Sequence, residues 1–191
     1  LVEKLGYFKK IKLLNYRNFT SYENDFSDRC NVLCGENGSG KTNILEAISL
    51  FGKGKGLRKD NISNIIKFNE EGFINYGFFC NQNITNEIKV SSEKYQLNYK
   101  KKILLNSENS SESINYLYSL FSFINFLPEM ERLFLLTPKY RRNFIDNLIF
   151  SRKKNYNTLV NKYKKMVTER NKVLTSQSNE NIWLEKLEQN I

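Results

Sequence analysis

The residues Gly35-Glu36-Asn37-Gly38-Ser39-Gly40-Lys41-Thr42 meet every fixed position of the phosphate-loop pattern G-x-x-x-x-G-K-[ST]. That pattern constrains the fold because it works only between a strand and a helix. Upstream, the apolar run Val32-Leu33-Cys34 predicts a short buried strand. Downstream, apolar residues at 44, 45, 48 and 51 fall at helical spacing, which predicts a helix from near Lys41 to near Gly52. Strand, glycine loop and helix in that order predict an α/β core.

The residue types supply the chemistry. The three glycines let the backbone curl so that successive N–H groups converge on one anion. The start of the helix adds the positive end of its dipole. Lys41 offers a full charge to the β- and γ-phosphates of a nucleoside triphosphate. Thr42 offers a hydroxyl to Mg²⁺, an ion that keeps water and phosphate oxygens as most of its ligands. Glu36, Asn37, Ser39 and Asn43 complete the stretch expected to enclose the phosphates.

A chain of 191 residues accommodates one domain, or one domain with a small appendage. No apolar run approaches the ~18 residues of a membrane span, and no signal pattern opens the chain, so a cytoplasmic protein is expected. Cys30, Cys34 and Cys80 have no metal-site spacing and are expected to stay reduced, with Cys34 packing as a small apolar residue. The absence of histidine removes the commonest general base. The net charge of +10 favours a nucleic-acid partner. Lysine far outnumbers arginine and Asn, Ile, Phe and Tyr abound, as in AT-rich coding sequence, so the charge alone carries little weight.

Along the chain, Tyr7 to Asn15 predicts a strand, Tyr16 to Phe19 a turn and Tyr22 to Phe26 a second strand. Gly52 to Lys59 is a flexible basic loop, and Asn61 to Phe68 contains a short helix. Residues 73 to 105 alternate as an antiparallel meander. A helix around Ile114 to Leu120 and a buried strand at Phe123 to Leu127 follow. From Arg141 the period is helical. A long amphipathic helix carries the stripe Tyr156, Leu159, Val160, Tyr163, Met166, Val167 and Val173, read as packing. A last helix carries Trp183, Leu184, Leu187 and Ile191, with Trp183 read as core.

Five segments together resemble the RecF family of bacterial recombination-mediator ATPases, relatives of the Rad50 and structural-maintenance-of-chromosomes (SMC) heads. They are Ile11 to Phe19, with its N-Y-R-N turn; the extended loop Gly35 to Ile48, ending in N-x-L-E-A; and the basic glycine loop Gly52 to Arg58. The others are Leu127-Pro128-Glu129 through Arg141-Arg142-Asn143-Phe144-Ile145-Asp146, and the helix Tyr163 to Leu174. The resemblance implies an α/β P-loop ATP-binding-cassette head of the SMC/Rad50-like kind. It would be incomplete, with a mixed sheet and an antiparallel β-subdomain followed by a helical lobe. Residues 1–140 would form nucleotide-binding lobe I and 141–191 the start of helical lobe II, with the C-terminal half of the family fold absent.

The same resemblance implies ATP and Mg²⁺ as cofactors and an ATP-dependent homodimer that clamps single-stranded or gapped DNA. It also implies RecO- and RecR-type partners and a role in replication-fork repair and the SOS response. Arg17 and Asn18 are then candidates to touch phosphate or base; alternatively they only shape a turn. Lys53, Lys55, Arg58 and Lys59 are candidates for DNA phosphates, or form a solvated loop. Arg141 and Arg142 either serve the nucleotide site or lobe interface, or cap carbonyls and pair with Glu129 or Glu131. The sequence holds neither an L-S-x-G-Q signature nor a Walker B run, and Asp146 sits in a helical pattern. The chain is therefore expected to be a fragment that binds ATP without hydrolysing it. The alternatives are an SMC/Rad50-like structural head, against which the break at Thr175 to Asn179 argues, or a nucleotide-binding fragment without DNA activity.

Overall fold

The computed structural model describes residues 6–95, 98–128, 135, 137–153, 155–175, 183 and 188–189. The chain divides into two compact units, Leu1–Asn125 and Phe126–Ile191.

The first unit is built on a five-stranded sheet: β1 (Tyr7–Tyr16), β2 (Phe19–Asp25), β3 (Ile74–Asn81), β4 (Ile84–Tyr95) and β5 (Asn98–Leu105). The strand order is β2-β1-β3-β4-β5 and every pairing is antiparallel. Two-residue turns set the registers. Arg17 and Asn18 connect β1 to β2 with Tyr16 opposite Phe19. Gln82 and Asn83, at φ 47° and 69°, connect β3 to β4 with Asn81 opposite Ile84. Positive φ at both central residues matches the right-handed twist of a hairpin.

Alternation sends Ile11, Leu13, Ile88, Val90, Ile103 and Leu105 into one buried face. Against the core lie α1 (Lys41–Ser49), through Ile44, Ala47, Leu50 and Phe51, and α3 (Ser111–Leu120), through Leu117. Each large apolar side chain buried there contributes roughly 1.5–3 kcal/mol. Phe51 seats closely because Gly77 of β3 has no side chain; a Cβ there would lie 2.8 Å from the Phe51 ring. Phe8 stacks on the same ring at 5.4 Å, and Phe121 and Phe123 close the cluster. Ser110 caps α3 by accepting a hydrogen bond from the Ser113 N–H at 3.1 Å. The short α2 (Ile62–Ile65) buries Ile65.

The second unit contains α4 (Pro138–Arg152) and α5 (Tyr156–Thr175). Pro138 starts α4, where its missing N–H costs nothing. The Tyr156 hydroxyl donates to Asp146 Oδ1 at 2.8 Å, joining the two helices. Among the described residues, no helix is long and apolar enough to cross a membrane.

Several expectations need correction. The parallel part of a mixed sheet is not found among the described residues. Val32-Leu33-Cys34 forms no strand, and Val32 is 77% exposed. No described strand lies alongside to complete its backbone hydrogen bonds, and an isolated apolar run has no reason to stay extended. Cys34 is consequently exposed. Residues 123–127 likewise form no strand; Phe123 packs on the core, while Phe126 turns to an edge contact with Phe144. Leu45, one of the apolar residues at helical spacing in α1, is 51% exposed, whereas its neighbour Glu46 is 1% exposed. In the second unit Leu159, Tyr163 and Trp183 are exposed rather than packed, because no described element covers those faces. Leu184, Leu187 and Ile191 lie outside the described residues.

The C-terminal end of α1 is held by a lysine that the sequence pattern does not single out. Lys101 Nζ donates to the carbonyls of Leu50 (3.1 Å), Gly52 (3.1 Å) and Gly54 (2.8 Å). A cation at that end of a helix completes its open carbonyls and suits its dipole. Burial pulls the ammonium pKa down to about 8. Between about 8 and 10.5 the unfolded chain holds a proton that the folded chain has released, so this group's contribution to stability rises with pH across that window. Lys101→Met is expected to cost about 2 kcal/mol near neutral pH in urea unfolding, and more near pH 10.

Candidate nucleotide-binding site

The glycine loop joins residues 31–34 to α1. Gly38 and Gly40 have φ of 86° and 97°, values that side chains other than glycine adopt only with strain. Gly40 is the N-cap of α1, and the Ile44 N–H donates to its carbonyl at 3.0 Å to begin the helix. A Cβ on Gly40 would lie 2.5 Å from Phe19 Cζ and 2.8 Å from Asn18 Nδ2. The turn between β1 and β2 is therefore the wall against which the loop is pressed.

Lys41 folds back over the loop. Its Nζ donates to the carbonyls of Gly35 (2.8 Å) and Glu36 (2.7 Å). These bonds place the ammonium over the loop, and an ammonium has a third N–H to give. The Ser39 N–H donates to Glu36 O at 3.2 Å, tightening the tip. The first turn of α1 contains no acidic residue, so its unpaired N–H groups and dipole keep their positive potential. Asn37 and Gly38 at the tip and Thr42 in the first helical turn are exposed. Concentrated positive potential, backbone donors and one hydroxyl thus meet at the start of α1, a cradle of the kind that suits a polyphosphate.

Behind the cradle lies an ionic network centred on Glu46, 1% exposed. Arg17 grips it with two bonds, Nε to Oε2 at 2.9 Å and Nη2 to Oε1 at 2.7 Å. The same guanidinium donates to Asp60 Oδ2 (2.9 Å) and to the Asn64 carbonyl (2.8 Å). Arg58 reaches Glu46 Oε2 at 3.3 Å and Asn43 Oδ1 at 2.9 Å. The Asn43 amide in turn donates to Asn18 Oδ1 at 2.8 Å. These contacts hold the Arg17 guanidinium above its usual pKa, Glu46 contributing most. Hydrogen bonds from Asn64, then Arg17, hold Asp60 below the usual carboxylate range. Burial, then the Glu46 carboxylate, pushes the Tyr16 phenol well up.

The structure thus gathers Asn18, Lys41, Thr42 and Asn43 at one end of α1. Four donors of Arg17 go to protein acceptors behind the loop. Arg58 lies beside Asn43 and Glu46, whereas Lys53, Lys55 and Lys59 are exposed on the basic loop that follows α1. Arg141 and Arg142 lie on α4 in the second unit; Glu129 and Glu131, their suggested partners, lie outside the described residues. Glu46 is the residue that sequence reasoning missed. A carboxylate among the apolar positions of a helix is the signal, because a buried charge requires counter-ions. Among the described residues no group of three or more His, Cys, Asp or Glu side chains gathers as a metal site.

Comparison with known proteins agrees with this architecture. Residues 7–127 match the family model described as the RecF/RecN/SMC N terminal domain. The chain is 34% identical over 188 residues to the DNA replication and repair protein RecF of Rickettsia typhi, and 33% identical over 186 residues to that of Rickettsia prowazekii. These alignments cover 97% and 96% of the chain but 50% of each relative, so the chain spans about half the length of the curated relatives it matches. A solved structure described as the recombination mediator protein RecF-ATPrS in the RecFOR pathway superposes with a TM-score of 0.74 at 28% identity, covering 98% of this chain and 51% of that one. A second, described as RecF-ATP, gives 0.72 at 29% identity, covering 97% and 50%. The chain belongs to the RecF/RecN/SMC N-terminal domain family, and within it corresponds to the N-terminal part of RecF.

Proposed function

We propose that this chain is the nucleotide-binding part of a RecF-type recombination mediator, taking up ATP at the loop Gly35 to Thr42. The observation that carries the reading is the loop itself: Lys41 poised over Gly35 and Glu36 at the unneutralised start of α1. Lys41 faces the β- and γ-phosphates, and the backbone N–H groups of residues 38–42 surround them. Thr42 holds Mg²⁺, which neutralises the phosphate oxygens; a single protein hydroxyl suits an ion that keeps water and phosphate as its other ligands. Asn18 and Asn43 fix the loop wall. Two relatives of similar fold, described with ATP or ATPrS, support this choice of nucleotide.

In this reading residues 1–140 act as lobe I and 141–191 begin lobe II. ATP brings two copies together around single-stranded or gapped DNA, with RecO- and RecR-type proteins as partners, in the cytoplasm during repair of stalled replication forks and the SOS response. The exposed Lys53, Lys55 and Lys59 contribute to the DNA contact. We assign to these residues nucleotide binding and no step of hydrolysis.

Equilibrium binding of a fluorescent ATP analogue tests the assignment. Lys41→Ala is expected to weaken it about 10- to 100-fold, the loss of charge-assisted bonds to phosphate, while leaving the thermal midpoint nearly unchanged. Equal affinity of the two proteins would reject the loop as the site.

A further inference from the structure

At the opposite end of α1 from the glycine loop, about 14 Å along the helix axis, lies a second cavity of about 580 Å³. Its walls come from three elements that the sequence does not connect: the basic loop at Gly54 and Lys55, the segment from Asp60 to Ser63, and the edge strand β5 from Asn98 to Lys101. The run Asn98-Tyr99-Lys100-Lys101-Lys102 lies outside both the glycine loop and the buried residues of the sheet.

We propose that this cavity binds one nucleotide unit of a single-stranded nucleic acid, with the base against Tyr99 and its phosphate at Lys55. The proposal rests on the DNA-binding reading above and locates part of that contact.

The chemistry is specific to that ligand in three respects. First, the cavity is cationic. Lys55 and Lys101 line it, and its one carboxylate, Asp60, is already paired with Arg17 at 2.9 Å. Second, it has an aromatic wall. Tyr99 and Lys101 stand two residues apart on β5 and so share a face, and that face meets the end of α1, where Lys101 holds its three carbonyls. Tyr99 is half-buried, which leaves part of its ring for stacking. Third, Asn61 and Ser63 supply an amide and a hydroxyl suited to a base edge. An aromatic beside a lysine-lined groove is how strands without defined sequence are held, because every base has a π-face. Lys101 forms the floor and spends its donors on protein carbonyls; it sets the potential rather than touching the strand.

The test uses the whole chain with a fluorescein-labelled oligo-dT, with ATP and Mg²⁺, in anisotropy titrations at several salt concentrations. Tyr99→Ala is expected to weaken binding about tenfold with the salt slope unchanged, and Tyr99→Phe to bind as the wild type does. Lys55→Gln is expected to weaken binding and lower the salt slope by about one unit. With 5-iododeoxyuridine in the oligonucleotide, photocrosslinking is expected to label the peptide containing Tyr99. If Tyr99→Ala binds like the wild type, or if crosslinks fall only elsewhere, the cavity is not the site and the DNA reading stands without it. If the wild type binds no oligonucleotide, both fall.

Discussion

Glu46→Ala is expected to cost about 3–5 kcal/mol of stability, the largest loss from any single substitution outside the apolar core. The carboxylate is 1% exposed and accepts three hydrogen bonds from two arginines. Its removal leaves Arg17, whose side chain is 15% exposed, with only Asp60 as counter-ion. Water reaches the guanidinium poorly, so Asp60 and the Asn64 carbonyl are left to satisfy it alone. Urea unfolding followed by circular dichroism measures the effect. Glu46→Gln keeps the shape and two acceptor lone pairs, and should lose about half as much. A change below about 1 kcal/mol for the alanine variant would mean that the arginines find other partners and that the network does not hold the fold.

Gly40→Ala is expected to remove nucleotide binding and to cost about 2–4 kcal/mol as well. One part is backbone strain, because φ at this position is 97°. The other is steric. The new Cβ would meet Phe19 Cζ at 2.5 Å and Asn18 at 2.8 Å, and Phe19 is itself held by packing against Tyr22 at 4.9 Å. Either the β1–β2 turn moves away or the loop does, and in both cases the first N–H groups of α1 no longer converge on one point. Titration with the fluorescent ATP analogue and thermal unfolding report the two losses separately. Gly54→Ala is the matched control: its φ is also positive, at 102°, but a Cβ there meets nothing within 4 Å. Equal behaviour of the two variants would show that strain alone, and not the wall formed by Asn18 and Phe19, governs the loop.

The local parts of this architecture were legible because their causes are local. The phosphate loop, the start of α1 at Lys41, the meander of β3 to β5 and the turn at Arg17 and Asn18 each follow from a few adjacent residues. The failures share a different cause. Val32 to Cys34 has the composition of a strand, but a strand exists only beside another, and composition does not say whether one is there. Arg17 reads by resemblance as touching phosphate or base, or as shaping a turn, and neither reading contains its carboxylate partners, which are 29 and 43 residues away. Lys101 alternates correctly onto the inner face of β5, yet nothing in that alternation says that the face ends on the carbonyls of α1. Periodicity reports which way a side chain points and not what waits for it.

The order of the strands has a consequence for how the site comes into being. β1–β2, β3–β4 and β4–β5 are hairpins between neighbours in sequence, quickly closed. The β1–β3 pairing is the exception: Tyr7 meets Cys80 and Leu14 meets Ile74, across the longest loop in the sheet. The glycine loop, α1 and the Glu46 network all lie inside that loop. Closing it carries the greatest entropic barrier of any strand pairing here, so the glycine loop and α1 are expected to reach their final geometry late in folding. A newly made chain is expected to acquire its hairpins first, and the surroundings of its glycine loop only after the two halves of its sheet have met.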